Sequence, residues 1–404
     1  MYLFSKFLYS IITLFGVVTV IFFLFSVLPG DPAQMMLGQN DNSEQLINIK
    51  KKYAFDKPIG KQYLLYINDL SPISIHSKNI EDYTFLKKNK YNHKIIFQTN
   101  SSFFVIKFPY LRTSFTKQGK NVSEIIKNTL PNTLILAVSS IFIAVVIGIL
   151  FGIISALNKD KFIDNFIQFI STIGMSVPSF FSAIIFAWVF GFVLNQYTNL
   201  NMTGNIYELD DFGEEYIFKL KNLILPSIVL GIRPLAVISQ LMRNELLDVL
   251  SQDYIRTARS KGLTEYQIIK RHALKNSLNP VITAISGWFA SMLAGAVFVE
   301  YIFGWNGLGK EIVNALNTLD LPVIMGSVIV IAFMFIKINI LKPKETPDVA
   351  GKLVCAAAGI ESEDCVEAVK TDEEVDETIS SIAENEKNNI EANNQILESE
   401  LLLK

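Results

Sequence analysis

The feature that most limits what this chain can fold into is a series of apolar runs too long for a soluble core. A helix rising 1.5 Å per residue needs about 20 apolar residues to cross the ~30 Å hydrocarbon layer of a bilayer. Phe7 to Leu28 meets that length, interrupted only by Ser, Thr and Gly. Further runs follow at Leu130–Ala156, Ile163–Leu194, Ile224–Leu241 and Val281–Phe303, and a shorter one at Leu321–Ile336. Half of the 404 residues are hydrophobic and 30 are Phe. The pattern predicts an all-α polytopic membrane protein with six transmembrane helices. A cleaved signal peptide is the rival reading of the first run. That run exceeds the roughly 7–15-residue core of such peptides, and no clear small-x-small cleavage site follows it.

Charge orients the runs. The net charge is only −2, so no overall field points to nucleic acid as a partner. The last sixty or so residues are acidic and leave the rest net basic, as basic cytosolic loops would. Lys6 before the first run and the short loop Asn158-Lys159-Asp160-Lys161 read as cytosolic, and both termini with them. Residues 30–125 form a long polar stretch expected outside. Within it Lys94–Phe97 and Phe103–Phe108 read as two short strands with a polar turn between them, a small β-rich insertion. Residues 195–222 are acidic and also expected outside. Cys355 and Cys365 lie in the acidic tail without zinc-ligand spacing, and His76, His93 and His272 are scattered, so no metal site or cofactor of the chain's own is expected.

Between the fourth and fifth runs lies a stretch of another kind. Asn244 to Pro280 is polar and helical, and with Arg243 carries seven Lys or Arg. The sequence predicts two short helices divided at Gly262. The first ends in Arg259-Ser260-Lys261, cations that suit a helix C-terminus, and Gly262 suits the left-handed residue that follows such a helix. Thr264 and Gln267 have the spacing of a capping box. Pro280 is read as ending the stretch or opening the next helix. Leu246, Leu250, Tyr254, Ala258, Ile269 and Ala273 form an apolar side that needs a cover. That cover is either the chain's own bundle or a partner.

The segment Asp253–Pro280, DYIRTARSKGLTEYQIIKRHALKNSLNP, resembles the "EAA" coupling loop of ABC-importer permeases, in the version of the dipeptide/oligopeptide/nickel family. Arg256-Thr257-Ala258 falls on the E-A-A triplet and Gly262 on its following glycine. Arg256 replaces the acidic first residue. The Leu28-Pro29-Gly30-Asp31-Pro32 exit from the first run, Tyr53–Pro58 with Gln62-Tyr63, and Ser176-Val177-Pro178-Ser179-Phe180 also resemble that family. So do Glu300, Trp305, Gly307-Leu308-Gly309, and Asp320 with Pro322. The resemblance covers about residues 1–70 and 120–336. It implies an inner-membrane permease subunit of a bacterial importer, with a second homologous permease, two cytosolic ATPases that hold ATP and Mg, and an external solute-binding protein. It implies that Asp253, Tyr254, Arg256, Thr257, Ala258, Arg259, Lys261, Gly262, His272, Asn276 and Pro280 couple the chain to the ATPases. Pro178, Arg233, Glu300, Gly307 and Gly309 are structural or translocation candidates.

By these readings residues 1–29 form the first span and 126–340 a five-helix permease core with the loop 244–280. The tail 341–404 is an acidic appendage, too poor in large apolar residues to bury a core. A docking helix, or a sequence artefact past Ile336, are its alternatives. Two rival functions remain. A self-contained secondary transporter or channel would show ionisable residues at mid-membrane; Arg233 and Glu300 are the ones to place. A membrane-anchored enzyme would need a nucleophile–base set or metal spacing, and none stands out. Gly304–Lys310 satisfies G-x-x-x-x-G-K, but Glu311 follows where a phosphate loop needs Ser or Thr, and no strand precedes it.

Overall fold

The computed structural model describes residues 2–26, 32–37, 43–80, 82–86, 93–117, 119–210 and 214–341. The Leu28–Asp31 part of the first exit and the tail beyond 341 lie outside the described residues. Five helices are long and apolar enough to span a membrane: α1 (Tyr2–Ser26), α5 (Val122–Leu157), α9 (Lys221–Leu250), α12 (Leu274–Ile302, continuous with the turns before it) and α14 (Leu321–Leu341). A further apolar pair of helices among the described residues is either one broken span or a re-entrant loop. Helix α6 (Phe162–Ser176) and α7 (Ser179–Trp188), prolonged by a π turn at Val189–Val193, meet at a bend of 107°. Pro178 stands at that bend as the residue before α7. It has no amide to give to a continuous helix, so the helix breaks there.

The core of the bundle is the pair α5 and α9, which approach closely because small residues face each other. A Cβ on Gly152 would lie 2.6 Å from Met242 Cβ and 2.7 Å from the Ser239 carbonyl oxygen. A Cβ on Gly148 would lie 3.0 Å from the Leu235 carbonyl, and one on Gly231 3.0 Å from that of Ser140. Ser140, Ala144, Gly148 and Gly152 recur every fourth residue along one side of α5, the spacing that lets membrane helices pack by backbone contact. That stripe was available in the sequence. The fifth run, by contrast, leaves its Ser291, Ala294 and Gly295 exposed in this chain, and a Cβ on Gly295 would touch nothing within 4 Å.

The structure corrects several expectations. The stretch before α5 is not a loop with two strands. It holds α2 (Pro32–Leu37), α3 (Ser43–Tyr53) and α4 (Ile59–Leu70), and a three-stranded antiparallel sheet in the order β1 (Ile73–Ser77), β3 (Ser102–Lys107), β2 (His93–Gln98). The first strand, set off from α4 by Ser71-Pro72, is only five residues long and buries Ser74 and His76 in place of apolar side chains, so its sequence carries a weak strand signal. Residues 195–222 hold a short helix α8 (Asn195–Thr198) and a hairpin of β4 (Tyr207–Leu209) and β5 (Tyr216–Phe218). The fourth helix runs on through Asn244 to Leu250, so those residues belong to the span and not to the loop. Its buried side continues through Ile238, Met242 and Leu246 at four-residue spacing. The last helix extends five residues beyond Ile336 to Leu341. Pro280 lies inside α12, as Pro131 lies inside α5 and Pro226 and Pro234 inside α9. Each removes a single amide, a gap that membrane helices tolerate.

Candidate functional site

Two compact units divide the loop after α9: residues 253–262 in one, and the bundle from Leu263 onward in the other. In the first, α10 (Asp253–Ser260) is amphipathic. Ile255 and Ala258 are buried and Tyr254 half-buried, while Asp253, Arg256, Thr257, Arg259 and Lys261 are exposed. Arg256 Nη1 lies 3.3 Å from Asp253 Oδ1, one turn back, and Thr257 Oγ1 donates to the Asp253 carbonyl at 3.1 Å. The pair is more than three-quarters exposed on both sides and contributes little to stability. Gly262 has φ +80° and donates its amide to the Arg259 carbonyl at 2.9 Å, the left-handed termination expected from the sequence.

In the second unit, α11 (Glu265–Ile268) starts with the expected capping box. Thr264 Oγ1 accepts from the Gln267 amide at 3.4 Å, and Gln267 Oε1 accepts from the Thr264 amide at 3.1 Å. A π turn over Ile269–Ala273 carries Lys270, Arg271 and His272 into α12, where Asn276 and Pro280 follow, half-buried. The extra residue of that turn shifts the helical phase. Ile268 is therefore the fully buried isoleucine and Ile269 is half-buried.

At the opposite end of α12, Glu300 is fully buried, not solvated at an interface. The chain turns at Gly304, φ +67°, and starts α13 (Leu308–Asn317) directly over Glu300. Glu300 Oε2 accepts from the amides of Gly309 at 2.7 Å and Lys310 at 3.2 Å. A carboxylate thus occupies the helix N-terminus where amides and the helix dipole favour an anion. The phosphate-loop lookalike has its anion seat filled by its own chain. A Cβ on Gly307 would lie 2.3 Å from Glu300 Oε2, and one on Gly309 2.5 Å from Val297 Cα. These two glycines are needed for close approach, whereas the turn itself depends on Gly304. Trp305 is buried and its Nε1 donates to the Asn132 carbonyl at 3.0 Å, and the Leu308 amide donates to Thr133 Oγ1 at 2.8 Å. The segment from Gly304 into α13 is thereby fastened to the N-terminal part of α5.

Arg233 is exposed at mid-length of α9, and its Nε donates to the Met175 carbonyl at 3.3 Å, beside the bend between α6 and α7. It borders a cleft of about 80 Å³ with Gly174, Ser179, Trp288, Ser291 and Gly295. The structure therefore groups Pro178 and Arg233 at one place and Glu300, Gly307 and Gly309 at another.

Two clamps escaped the sequence reading. Asp164, buried near the start of α6, takes Arg243 Nε at 2.7 Å and Nη2 at 2.6 Å, Ser155 Oγ at 2.5 Å and the Asp160 amide at 2.9 Å. Asp320, also buried, takes Ser114 Oγ at 2.5 Å, Thr116 Oγ1 at 2.8 Å and the amides of Phe115 and Thr116 at 3.0 and 3.2 Å. An acid interrupting or bordering an apolar run was the available signal for both, since such a group needs partners at that depth.

Comparison with known proteins agrees with this architecture. Residues 148–341 match the family described as binding-protein-dependent transport system inner membrane component, and residues 1–80 match the N-terminal component of the same kind. A dipeptide transport system permease protein of Alkalihalophilus pseudofirmus is 30% identical over 352 residues, 84% of this chain and 95% of that protein. An oligopeptide transport system permease protein of Bacillus subtilis is 32% identical over 341 residues, again 84% and 95%. Among solved structures, a chain of the inward-facing MetNI methionine ABC transporter aligns over 54% of this chain and 93% of its own, at 16% identity. Its TM-score of 0.42 is too low for that likeness to bear weight.

Proposed function

The chain belongs to the family of binding-protein-dependent transport system inner membrane components, the multi-pass permease subunits of ABC importers, and from that premise we propose how it works. It is half of a translocation pathway for peptides or related small solutes, the substrates that its relatives' names carry. The other half is a homologous permease. That partner meets the side on which Arg233, Ser291, Ala294 and Gly295 stand exposed. An arginine at that depth is too costly against lipid and belongs against a partner or a watered path. An external binding protein delivers the solute. ATP and Mg are held by two cytosolic ATPase subunits, and this chain performs no chemistry itself. Both termini and the loop 253–280 are cytosolic, because the short basic segments orient such a chain.

Coupling runs through Asp253, Tyr254, Arg256, Thr257, Ala258, Arg259, Lys261 and Gly262, followed by His272, Asn276 and Pro280. The observation that carries this is the turn at Gly262, φ +80°, with a C-terminal hydrogen bond before it and a complete capping box after it. Asp253, Arg256, Thr257, Arg259 and Lys261 stand exposed beside that turn, which supports reading it as a surface for a partner. A self-contained transporter fits less well. Of the acidic groups at depth, Asp164 is held through both carboxylate oxygens by donors of the chain itself, and Glu300 through Oε2 alone.

Gly262→Val tests the reading. A β-branched residue is strongly disfavoured at positive φ, and a Cβ there would meet nothing within 4 Å. The damage is therefore confined to the turn. Uptake and co-purification of the ATPases should both fall while the bundle keeps its thermal stability. Normal uptake would refute the coupling role. Impermeant labelling of cysteines placed at Lys94 and Lys159 checks the orientation, which is reversed if Lys159→Cys alone reacts from outside.

A further inference from the structure

The three-stranded sheet is inside out. Its covered face carries Ser74, His76, Val105 and Lys107, all buried, three of them polar, while on β2 the same face leaves Ile95 and Gln98 exposed. Their needs are met locally. Ser74 Oγ and His76 Nε2 are 3.0 Å apart, His76 Nδ1 is 2.9 Å from the Thr84 carbonyl, and Lys107 Nζ donates to the Asp69 carbonyl at 2.7 Å. The open face carries Ile73, Ile75, Phe97 and Ile106, each 50–64% exposed, with Phe104 half-buried among them. Register places Ile73 beside Ile106, and Phe104 between Ile75 and Phe97. The side chains therefore form one continuous patch. An antiparallel sheet with one face in water shows the reverse arrangement, polar outside. A contiguous exposed apolar patch marks a surface that meets something apolar.

The neighbouring helix locates what it meets. Helix α4 packs against the spans α1 and α14, with Tyr66 in one buried cluster with Val18, Ile21, Phe22, Met325 and Ile329. Tyr63 Oη lies 2.7 Å from Thr19 Oγ1. Thr19 is about 10 Å inside the Ser26 end of α1 at 1.5 Å per residue. So α4 reaches below the rim of an apolar span, and its Ile59 and Leu64 are exposed there. The sheet is fixed to this helix: Asn68 of α4 accepts from the Ile75 amide at 2.9 Å and donates to the Ile75 carbonyl at 3.0 Å. Lys94, on the open face beside Ile106, supplies a cation at the edge of the patch.

We propose that the open face of this sheet lies on the lipid surface, as an interfacial anchor on the leaflet at the Ser26 end of α1. Its apolar side chains enter the headgroup boundary and Lys94 meets lipid phosphates, the division of labour found at such boundaries. This rests only on α1 and α14 crossing the membrane, and does not depend on coupling to an ATPase.

The test uses the full chain with Cys355→Ser and Cys365→Ser, reconstituted in nanodiscs of phosphatidylethanolamine and phosphatidylglycerol. Nitroxide labels are placed by Ile75→Cys and Phe97→Cys on the open face, and by Gln98→Cys on the reverse face. All three positions are exposed or half-exposed, so no buried packing is disturbed. At Ile75 and Phe97, collision with oxygen should exceed collision with a water-soluble nickel chelate several-fold, and at Gln98 the ratio should invert. Equal access of the nickel chelate to all three labels would overturn the proposal, because the face would then be in water. Protection of Ile75 and Phe97 from both reagents would also overturn it, because a protein surface would then cover the patch.

Discussion

The clamp at Asp164 yields the sharpest quantitative expectation. Its carboxylate joins three helices: Ser155 from α5, its own helix α6, and Arg243 from α9. Asp164→Ala leaves the Arg243 guanidinium, the Ser155 hydroxyl and the Asp160 amide without their acceptor. Removing one partner of a buried ion pair costs about 3–5 kcal/mol, most of it from the charge left behind. The Arg243 side chain keeps 18% exposure and can recover some hydration, so the lower end, about 3 kcal/mol, applies. At about 2–4 °C per kcal/mol, this lowers the unfolding midpoint by roughly 6–12 °C. Arg243→Ala leaves Asp164 two of its four donors and should cost about 2 kcal/mol. The double variant should cost less than the sum by about 2 kcal/mol, because neither charge is then stranded. Unfolding of the purified protein in mixed micelles, followed around the full double-mutant cycle, measures this. If the two effects add to within about 0.5 kcal/mol, the pair is not coupled and the clamp does not join these helices.

The turn from α12 into α13 and the β4–β5 hairpin give two more. Gly307→Ala puts a Cβ 2.3 Å from the Glu300 carboxylate and must drive it from the α13 amides. A loss of about 2–3 kcal/mol is expected from the unmet buried groups, whereas Gly295→Ala, with no contact within 4 Å, should be nearly neutral; thermal unfolding of the two side by side separates close approach from a general intolerance of alanine. Burial pushes the Glu208 carboxyl up, but hydrogen bonds from Lys219, the Asn205 amide and Asn222 outweigh it and hold the group below its ordinary value of 4.5. Its contribution is therefore complete above that value and is lost as pH falls through the lower folded value, so acid titration of the unfolding midpoint should show an extra decline below about pH 4.5 that Glu208→Gln lacks.

Local signals in this chain were legible wherever one residue's conformation was at stake. Gly262 adopts the left-handed turn that the cations before it and the cap after it require. Pro178 stands at the 107° bend between α6 and α7, where the sequence placed a kink or a join of two helices. Pro280 misled, because a missing amide is tolerated once α12 is held along its length. The β-rich insertion was only half visible. Its β2 and β3 share a polar turn, but β1 is five residues long with a buried Ser and His, and only its pairing with β3 makes it a strand.

From its sequence alone the chain was bound to be a multi-span membrane protein with a basic, capped turn between its fourth and fifth spans. Apolar length, loop charge and a positive-φ glycine are additive properties of short segments, and they survive any arrangement of the rest. Partners were a matter for the fold. Glu300 could have been solvated, but the return of α13 over it closes it off and fills a helix N-terminus with its carboxyl. Asp164 and Arg243 are distant in the chain and meet because α6 packs against α9. Which face of the outer sheet turned outward was decided by Asp69 and Thr84, which satisfy Lys107 and His76 from beneath. A buried polar group is stable only beside its partner, and which residues become neighbours is a property of the assembled chain.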